Sequence, residues 1–396
     1  MALDFQQVRE QVQQLGEQAP QREQRLEELR QKARHLLESQ AENLEAIIQK
    51  VDLVVRSHDP SIRCALPVTE ALTTHRALPE LPPHLTLLAA DGSQIAPDRH
   101  AEVEYCLINV GAVQMRYGAA EPARTNVSSR LFYAEAIETP RGLITDATLA
   151  LRRDLGERKL LEELAIHAEP PVVTFTDGPM ELWGGQEREV EEASEFQKSL
   201  EEYKRVLSRL SDLRVITAGY VDKPSANLVV RLLEVILIPA EQLSEIRKQQ
   251  PLRGVRDFGL FRSFLGAGER SAVFAMQSQS AKSYPGPLAL HFFYLNVGRP
   301  GHPWLARVEI PAWVAENNPM LDTLHATLVQ QCRAMGSRPY PYLLHRAHET
   351  AVVTLDERDQ VTQMIMLELR RRGVTVGEQS YKQSAKDLQA RTRYGQ

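Results

Sequence analysis

Polar side chains dominate the first 55 positions of the chain, and apolar side chains recur among them at helical spacing. The apolar positions are Leu26, Leu29, Ala33, Leu36, Leu37, Leu44, Ile47, Ile48 and Val51. Pro20 has no backbone N–H and disfavours a helix interior, so the pattern predicts two helices divided at that residue. We expect a solvated amphipathic arm that packs on the body of the protein or on a partner.

Two apolar runs of strand length each end in an Asp-Gly pair. Residues 84–90 lead into Asp91-Gly92, and residues 172–176 lead into Asp177-Gly178. Because Asp and Gly are favoured in turns for backbone reasons, each run predicts a buried strand followed by a sharp turn. Between the runs we expect strands at 104–117 and 129–137 and a helix at 145–167.

Helices and strands alternate along the rest of the chain. Helices are predicted at 187–210, 226–236, 320–335, 343–353 and 360–372, and strands at 214–220, 272–276, 288–297 and 306–310. The pattern therefore predicts an N-terminal helical, coiled-coil-like arm with its linker over residues 1–77, and an α/β domain over residues 78–396.

Composition limits the class of protein. The chain has 396 residues, of which 43% are hydrophobic and 25% charged, so it can bury a large core. It has neither an apolar run long enough to span a bilayer nor an N-terminal export signal, so we expect a cytoplasmic protein without a membrane partner. The net charge of -5 argues against indiscriminate coating of nucleic acid, but it allows a local basic channel.

Cysteine usage narrows the choice of metal ligands. Cys64, Cys106 and Cys332 are widely separated and form no Cys-x-x-Cys pair. Neither a disulfide framework nor a thiolate zinc site is expected. Any bound metal must therefore be held by oxygen and imidazole ligands.

The two Asp-Gly aspartates are the first candidates for chemistry. If their strands pair in one sheet, Asp91 and Asp177 lie a few Å apart, as in ribonuclease-H-like enzymes that hold divalent metal ions. The alternative is that each aspartate only makes a turn. A third carboxylate is expected from the intervening helix, where the candidates are Glu157, Glu162 and Glu163.

A histidine pair is the other candidate for chemistry. His345 and His348 are three residues apart on a predicted helix, so together they could bind metal or position a phosphate. The alternative is two unrelated surface imidazoles.

Five motifs, taken in order, resemble the NurA nuclease family over roughly residues 85–353. They are Ala-Ala-Asp91-Gly-Ser-Gln94, Thr-Asp177-Gly-Pro-Met180, Ala218-Gly-Tyr-Val-Asp-Lys223-Pro-Ser, Arg307-Val-Glu-Ile-Pro-Ala-Trp313 and Tyr340-Pro-Tyr-Leu-Leu-His-Arg-Ala-His348-Glu. The stretch Gly336-Ser-Arg-Pro-Tyr340-Pro-Tyr departs from the family's usual Gly-Tyr-Pro-Tyr-Pro, a difference that bears on substrate preference more than on catalysis.

The resemblance implies a fold and an activity. The expected fold is a ribonuclease-H-like mixed α/β sheet flanked by helices and related to the Argonaute nuclease domain. The expected activity is that of a manganese-dependent nuclease, with magnesium as a possible substitute, which degrades DNA from 5′ to 3′ and also cuts single strands internally. The implied partners are DNA, a second copy in a homodimer, and a hexameric HerA-type ATPase that acts with the nuclease in resecting double-strand breaks.

The resemblance also assigns roles to individual residues. Asp91, Asp177 and His348 match the family's metal-site positions, and Glu157 is chosen as the helix ligand, with Glu163 left open. Lys223 and Arg307 fall in family-like motifs, as DNA contacts or transition-state stabilisers or else as structural ion-pair partners.

The sequence also allows other roles for two aromatic residues and other functions for the chain. Tyr294 and Trp304 are candidates for stacking on unpaired bases, with packing as the alternative. Two other functions are kept beside the nuclease: a non-catalytic DNA-clamp subunit of a translocase, and an RNase or phosphatase on the same core.

Overall fold

The computed structural model describes residues 3–99, 101–139, 142–184 and 190–374. The helices are α1 (Phe5–Ser39), α2 (Leu44–Ser57), α3 (Asp146–Ile166), α4 (Val190–Asp212), α5 (Leu228–Leu237), α6 (Asp257–Phe261), α7 (Ala312–Ala315), α8 (Asn318–Ala334), α9 (Tyr342–Ala351) and α10 (Leu355–Arg371). The strands are β1 (Cys64–Pro67), β2 (His75–Arg76), β3 (Leu85–Ile95), β4 (Tyr105–Tyr117), β5 (Arg124–Tyr133), β6 (Glu138–Thr139), β7 (Gly142–Leu143), β8 (Val172–Asp177), β9 (Ile216–Asp222), β10 (Arg270–Ser271), β11 (Phe274–Gln277), β12 (Leu290–Asn296) and β13 (Leu305–Pro311). Residues 187–189 of a predicted helix and residues 375–396 of the predicted domain lie outside the described residues.

The described chain forms two compact units. The first unit comprises residues 3–81, Gly178–Glu181 and Ala218–Tyr340. The second comprises the described residues of Pro82–Asp177, Leu182–Thr217 and 341–374. These units reflect packing, and the predicted division into residues 1–77 and 78–396 stays a prediction.

The second unit is built on a mixed sheet. Strands β3, β4 and β5 pair antiparallel in succession, and β8 pairs parallel to β3 on its other side. The start of β9, Ile216 and Thr217, follows next to β8, where the buried hydroxyls of Thr174 and Thr217 share a hydrogen bond. Helix α3 connects β5 to β8, and helix α4 connects β8 to β9. Three antiparallel strands followed by helix, parallel strand, helix and strand is ribonuclease-H-like connectivity, so this part of the fold prediction is confirmed.

Helices α3 and α9 cover opposite faces of this sheet. A Cβ on Gly92 would meet the side chains of Arg153 and Glu157 from α3, whereas a Cβ on Gly111 would meet the backbone of α9 at Thr350 and Ala351. Because Gly111 pairs with Asp91 and successive strand residues face opposite sides, positions 92 and 111 lie on different faces. Both helices thus approach the sheet where a side chain is missing.

The first Asp-Gly pair does not form the predicted turn. Strand β3 continues through Asp91 and Gly92 to Ile95, paired with β4 along its whole length. Gly92 allows close packing with α3, where a side chain would not fit. A glycine after an aspartate therefore has the same sequence pattern here as in a turn. The second pair behaves as predicted, because β8 ends at Asp177 and Gly178 has a positive φ of 88°.

An antiparallel sheet is the centre of the first unit. Its strands lie in the order β1, β11, β12, β13 and β9, and all their pairings are antiparallel. Strands β12 and β13 are buried along their whole length, and the apolar helix α5 packs against β1. Cys64 and Cys332 are buried, as is Cys106 in the second unit, and all three are free thiols.

The N-terminal helices belong to the first unit. Helix α2 buries Ile47, Val51 and Val54, and Lys50 donates to the carbonyl oxygens of Ile236 and Ile238 at 2.9 and 2.7 Å, beside the end of α5. These contacts satisfy carbonyl groups that a helix end leaves without an intrahelical donor. The predicted helical arm is confirmed, and part of it packs on the body.

The predicted break at Pro20 is wrong. Helix α1 runs through Pro20 to Ser39, and the chain turns at residues 40–43 before α2 begins. The helix around Pro20 is exposed on all sides, so no neighbour resists the local adjustment that a proline needs. The turn lies instead where α2 must fold back to bury its apolar face. None of the described helices is long and apolar enough to cross a bilayer.

Candidate active site

His348 and Asp91 form the central contact of the second unit. The Nδ1 atom of His348 lies 2.7 Å from Oδ2 of Asp91, whose Oδ1 accepts a hydrogen bond from the Gly92 N–H at 2.8 Å. The Asp91 side chain is 18% exposed and the imidazole is 62% exposed. The pair is therefore anchored on the strand and open to solvent on the helix side.

Polar side chains of the sheet hold helix α9 in place. The carbonyl oxygen of Ala351, at the end of α9, accepts hydrogen bonds from Ser93 Oγ at 2.6 Å and Asn109 Nδ2 at 2.8 Å. Ser129 in turn donates to Asn109 Oδ1 at 2.6 Å. These bonds satisfy a terminal helix carbonyl and fix the position of His348.

The two histidines of α9 separate in the structure. His345 lies 3.4 Å from Glu349, one turn further along the helix, and its side chain is 43% exposed. Only His348 contacts Asp91. The two imidazoles therefore do not form a joint metal site in the described structure.

Asp177 lies beside Asp91 on the neighbouring strand. The parallel register of β3 and β8 pairs Ala90 with Thr176, so Asp91 and Asp177 are the next positions on adjacent strands, which lie about 4.8 Å apart. Asp177 is exposed, unlike the buried residues that precede it in β8. The predicted neighbourhood of the two aspartates is therefore present.

Glu157 is the helix glutamate that reaches the same part of the sheet. Its Oε1 would lie 2.9 Å from a Cβ at Gly92, and the residue is only 6% exposed. Glu163 is exposed to solvent, and Glu162 pairs with Arg209 at 2.9 Å. Of the candidates, the fold brings Glu157 next to Asp91, while its role as a ligand stays a prediction.

Acidic side chains cluster around Glu157. Burial raises its pKa well above the usual glutamate value, and the nearby carboxylates of Asp154 and Asp91 raise it further. Burial also raises the pKa of Asp154, against the opposing effect of Arg153. Three carboxyl groups thus crowd the region, and a bound cation would relieve their repulsion.

Two arginines of α3 partly offset this charge. Arg153 lies 3.7 Å from Glu157 and donates from Nε and Nη2 to Asp154 Oδ1 at 3.2 and 2.9 Å. Arg158 is only 2% exposed and forms a hydrogen bond with the buried Tyr203. Sequence reasoning missed Asp154, although its place one helical turn before Glu157 was a usable signal.

The oxygen and imidazole groups fit a hard divalent cation by their chemistry. Asp91, Asp177, Glu157 and His348 would be the residues to hold it. Among the described residues, no three His, Cys, Asp or Glu side chains already stand close enough to chelate an ion.

Lys223, predicted to bind DNA, lies in the first unit. Its Nζ is 4.3 Å from the ring centroid of Trp304, and the Trp304 indole N–H donates to Asp222 at 2.8 Å. Lys223 is exposed, with an unusual φ of 44°. The lysine thus presents a positive charge to solvent above a half-buried aromatic ring, and a DNA contact stays a prediction.

Arg307 lies in a buried network of the same unit. It is 8% exposed and pairs with Glu309 at 2.7 Å, and Glu309 also accepts from the Met180 N–H at 2.9 Å. This geometry favours the ion-pair alternative over a direct DNA contact. Tyr294 is fully buried and donates to Asp257 at 2.6 Å, so its role is packing, not base stacking.

Comparisons with known proteins add a family. The model described as NurA domain matches residues 85–353. None of the curated proteins compared with the chain is significantly similar to it.

Several solved structures are distantly similar. The NurA nuclease from Sulfolobus solfataricus has 11% identity and a TM-score of 0.46, and the match covers 76% of this chain and 88% of that one. Endonuclease V from Ciona intestinalis, in complex with an inosine-containing 24mer DNA, has 12% identity and a TM-score of 0.31 over 80% of this chain and 96% of that one. The human endonuclease V catalytic domain has 14% identity and a TM-score of 0.32, with coverages of 82% and 99%.

Proposed function

Because the family match covers more than half of its length, this chain belongs to the NurA family, and we propose that it is a divalent-metal-dependent DNA nuclease. The observation that carries the proposal is the contact between His348 and Asp91, made across 257 positions of sequence. A solvent-open imidazole held by a sheet carboxylate, with Asp177 on the next strand and Glu157 nearby, suits phosphodiester hydrolysis.

In the proposed mechanism, Asp91, Glu157 and Asp177 supply carboxylate oxygens for one or two manganese or magnesium ions. A divalent ion held there would supply positive charge for the phosphate oxygens and would lower the pKa of a water molecule bound to it. When Nδ1 of His348 donates to Asp91, Nε2 is an acceptor, which suits it to orient water or to take its proton.

The finer activity is proposed from the family resemblance. We expect 5′ to 3′ degradation of DNA ends and internal cutting of single strands, with manganese preferred. Lys223, which is exposed in the first unit, is proposed as a backbone-phosphate contact. For Arg307, the buried ion pair with Glu309, which also accepts a hydrogen bond from the Met180 N–H, makes a structural role the better-supported one.

The test is digestion of linear DNA labelled at either the 5′ or the 3′ end, in manganese, magnesium or EDTA. Asp91→Asn should lower the cleavage rate at least about 100-fold, because the metal site loses a charged ligand. Asp212→Asn is the matched control, since Asp212 is an exposed residue at the end of α4. Glu157→Gln should act like Asp91→Asn, and Glu163→Gln should act like wild type.

The outcomes separate the possible functions. Undiminished cleavage by Asp91→Asn would refute the assignment of the catalytic site. Binding of DNA without cleavage in any metal would favour the clamp function, and cleavage of RNA or phosphomonoesters alone would favour another hydrolase. Equal effects of the Glu157 and Glu163 substitutions would remove Glu157 from the ligand set.

We also propose protein partners, namely a second copy and a HerA-type ATPase. The supporting feature is the exposed half of α1, where Phe5, Val8, Val12 and Leu15 are 40–68% exposed and repeat at three- and four-residue intervals. This spacing forms one apolar stripe, as in coiled-coil interfaces. Such a stripe on a solvated helix suits contact with another protein.

The partner proposal is tested with a chain that lacks residues 2–22. Wild type is expected to elute as a dimer in size-exclusion chromatography with light scattering, and to co-purify with a co-expressed HerA-type ATPase at low salt. Loss of the dimer or of the ATPase complex in the truncated chain would show that the apolar stripe of α1 forms that contact. A monomeric wild type would refute the dimer, and failure to co-purify would count against the ATPase.

A further inference from the structure

The acidic side chains around Asp91 would repel the phosphate groups of a nucleic acid. Asp91, Asp154 and Glu157 bring three acidic side chains together, and a phosphodiester strand adds further negative charge. Two arginines of α3 lie close enough to offset it. Arg158 is 2% exposed and bonded to Tyr203, so a substrate cannot reach it.

Arg153 is accessible where Arg158 is not. Its side chain is 31% exposed, and its Cγ and Cδ atoms would lie 2.5 and 3.0 Å from a Cβ at Gly92. The arginine therefore passes directly over the strand residue that follows Asp91. Any side chain at position 92 would displace it, so the glycine keeps this place open.

Hydrogen bonds orient the Arg153 guanidinium, but among the described residues not all of its N–H groups have an acceptor. Its Nε and Nη2 both donate to Asp154 Oδ1, and the 3.7 Å approach to Glu157 is too long for a hydrogen bond. Among the described residues, nothing accepts from Nη1. A guanidinium held on one edge with donors left on another is suited to a phosphate oxygen.

We infer that Arg153, held in place by Asp154, binds a backbone phosphate of the DNA strand next to Asp91. The inference rests on the proposed function, because it names the substrate group that this site contacts. It adds a substrate-binding residue to the set of carboxylates and histidine, at a point where those residues alone would repel the strand.

Binding measured without metal tests this inference apart from cleavage. A 5′-fluorescein single-stranded oligonucleotide of about 20 thymidines is titrated in EDTA over a series of KCl concentrations, with anisotropy as the readout. Arg153→Gln should bind about tenfold more weakly. The plot of the logarithm of the association constant against the logarithm of the salt concentration should become shallower, its negative slope losing about 0.7 in magnitude for the lost single-strand phosphate contact. Arg152→Gln is the matched control, because Arg152 pairs with Glu195 at 2.5 Å and stacks on Phe132.

A second measurement on the wild-type protein guards against a folding defect in the variant. Arginine modification by phenylglyoxal, mapped by mass spectrometry, should be suppressed by the oligonucleotide at Arg153 and unchanged at Arg152. An unprotected Arg153 overturns the inference. Wild-type affinity and salt slope in a folded Arg153→Gln protein, or an equal loss in Arg152→Gln, does so as well.

The two proposals fail in different ways. If no metal supports cleavage but Arg153 is protected, the nuclease proposal fails and the phosphate contact stands. If Asp91→Asn abolishes cleavage but Arg153→Gln binds like wild type, the nuclease proposal stands and the phosphate contact fails.

Discussion

At the residue scale, the same residue type acquires different roles on one helix. His345 and His348 are one turn apart on α9, yet only His348 meets a carboxylate of the sheet. The imidazole of His345 meets Glu349 of its own helix. What separates them is the direction of each side chain relative to β3.

The two histidines therefore give a matched pair of substitutions. His348→Ala should lower the cleavage rate about 100-fold, because it removes the group that we propose to orient or deprotonate water. His345→Ala should retain the wild-type rate within about twofold, since an exposed ion pair contributes little. Initial rates on labelled single-stranded DNA measure both, and similar rates for the two variants would contradict the assignment.

At the element scale, the approach of α9 to the sheet depends on Gly111. A Cβ there would lie 2.6 Å from Ala351 N and 3.0 Å from Ala347 O, and these backbone atoms cannot rotate away. The helix must therefore move if position 111 gains a side chain. Such movement would shift His348 relative to Asp91.

Gly111→Ala should destabilise the protein by about 1–3 kcal/mol, because extra atoms are forced into a closed contact. It should also lower cleavage about 100-fold through misplacement of His348. Gly156→Ala is the control: its Cβ would meet only Val110 Cγ2 at 3.2 Å, and alanine favours the helix. Thermal melting and cleavage rates would decide, and a fully active Gly111→Ala protein would show that α9 tolerates the shift.

The sequence predicted most elements but not all of their boundaries. The sequence located α3 and β8 closely, because α3 begins after the capping residue Thr145 and β8 is a continuous apolar run that ends at an Asp-Gly pair. The continuation of β3 through Asp91-Gly92 was missed, because an Asp-Gly pair has the same signature in a turn and in a close contact. The unbroken α1 was missed because proline is tolerated on a solvated stretch of helix.

The two parts of the N-terminal arm should differ in their contribution to stability. Deletion of residues 2–22 should leave the melting temperature of the monomer unchanged, because within one protomer the described chain up to that point is exposed. Deletion of residues 2–57 should lower it strongly, because α2 buries Ile47, Val51 and Val54, each worth roughly 1.5–3 kcal/mol. Equal melting temperatures for both truncated chains would show that α2 is dispensable.

At the scale of the whole molecule, a buried histidine makes stability depend on pH. His325 is fully buried, its Nε2 lies 2.7 Å from the Gly268 carbonyl oxygen, and its Nδ1 has no partner in the described part of the chain. Burial, together with the positive charge of nearby Arg270, lowers its pKa to about 4 against the opposing effect of the hydrogen bond to Gly268. The folded protein therefore keeps this imidazole neutral.

The sign of the effect follows from the lowered pKa. Below about pH 6.5 the unfolded chain takes up a proton that the folded chain refuses, so stability falls from that pH down to about pH 4. Between pH 7 and 5 this group should cost roughly 2 kcal/mol. His325→Gln, which can still donate to Gly268, should lose that part of the pH dependence. Urea unfolding at both pH values measures it, and identical pH dependence in the two proteins would contradict the account.

The sequence by itself determined the order of most helices and strands, the family motifs, and the position of an aspartate at the end of each of two apolar runs. These are local properties, carried by side-chain periodicity within each segment and by residue types at fixed spacing. The tertiary structure decided which helix side chains meet the strands: Glu157 and not Glu163, His348 and not His345, with Arg307 buried against Glu309. That choice depends on how distant segments pack, and here on the side chains missing at Gly92 and Gly111.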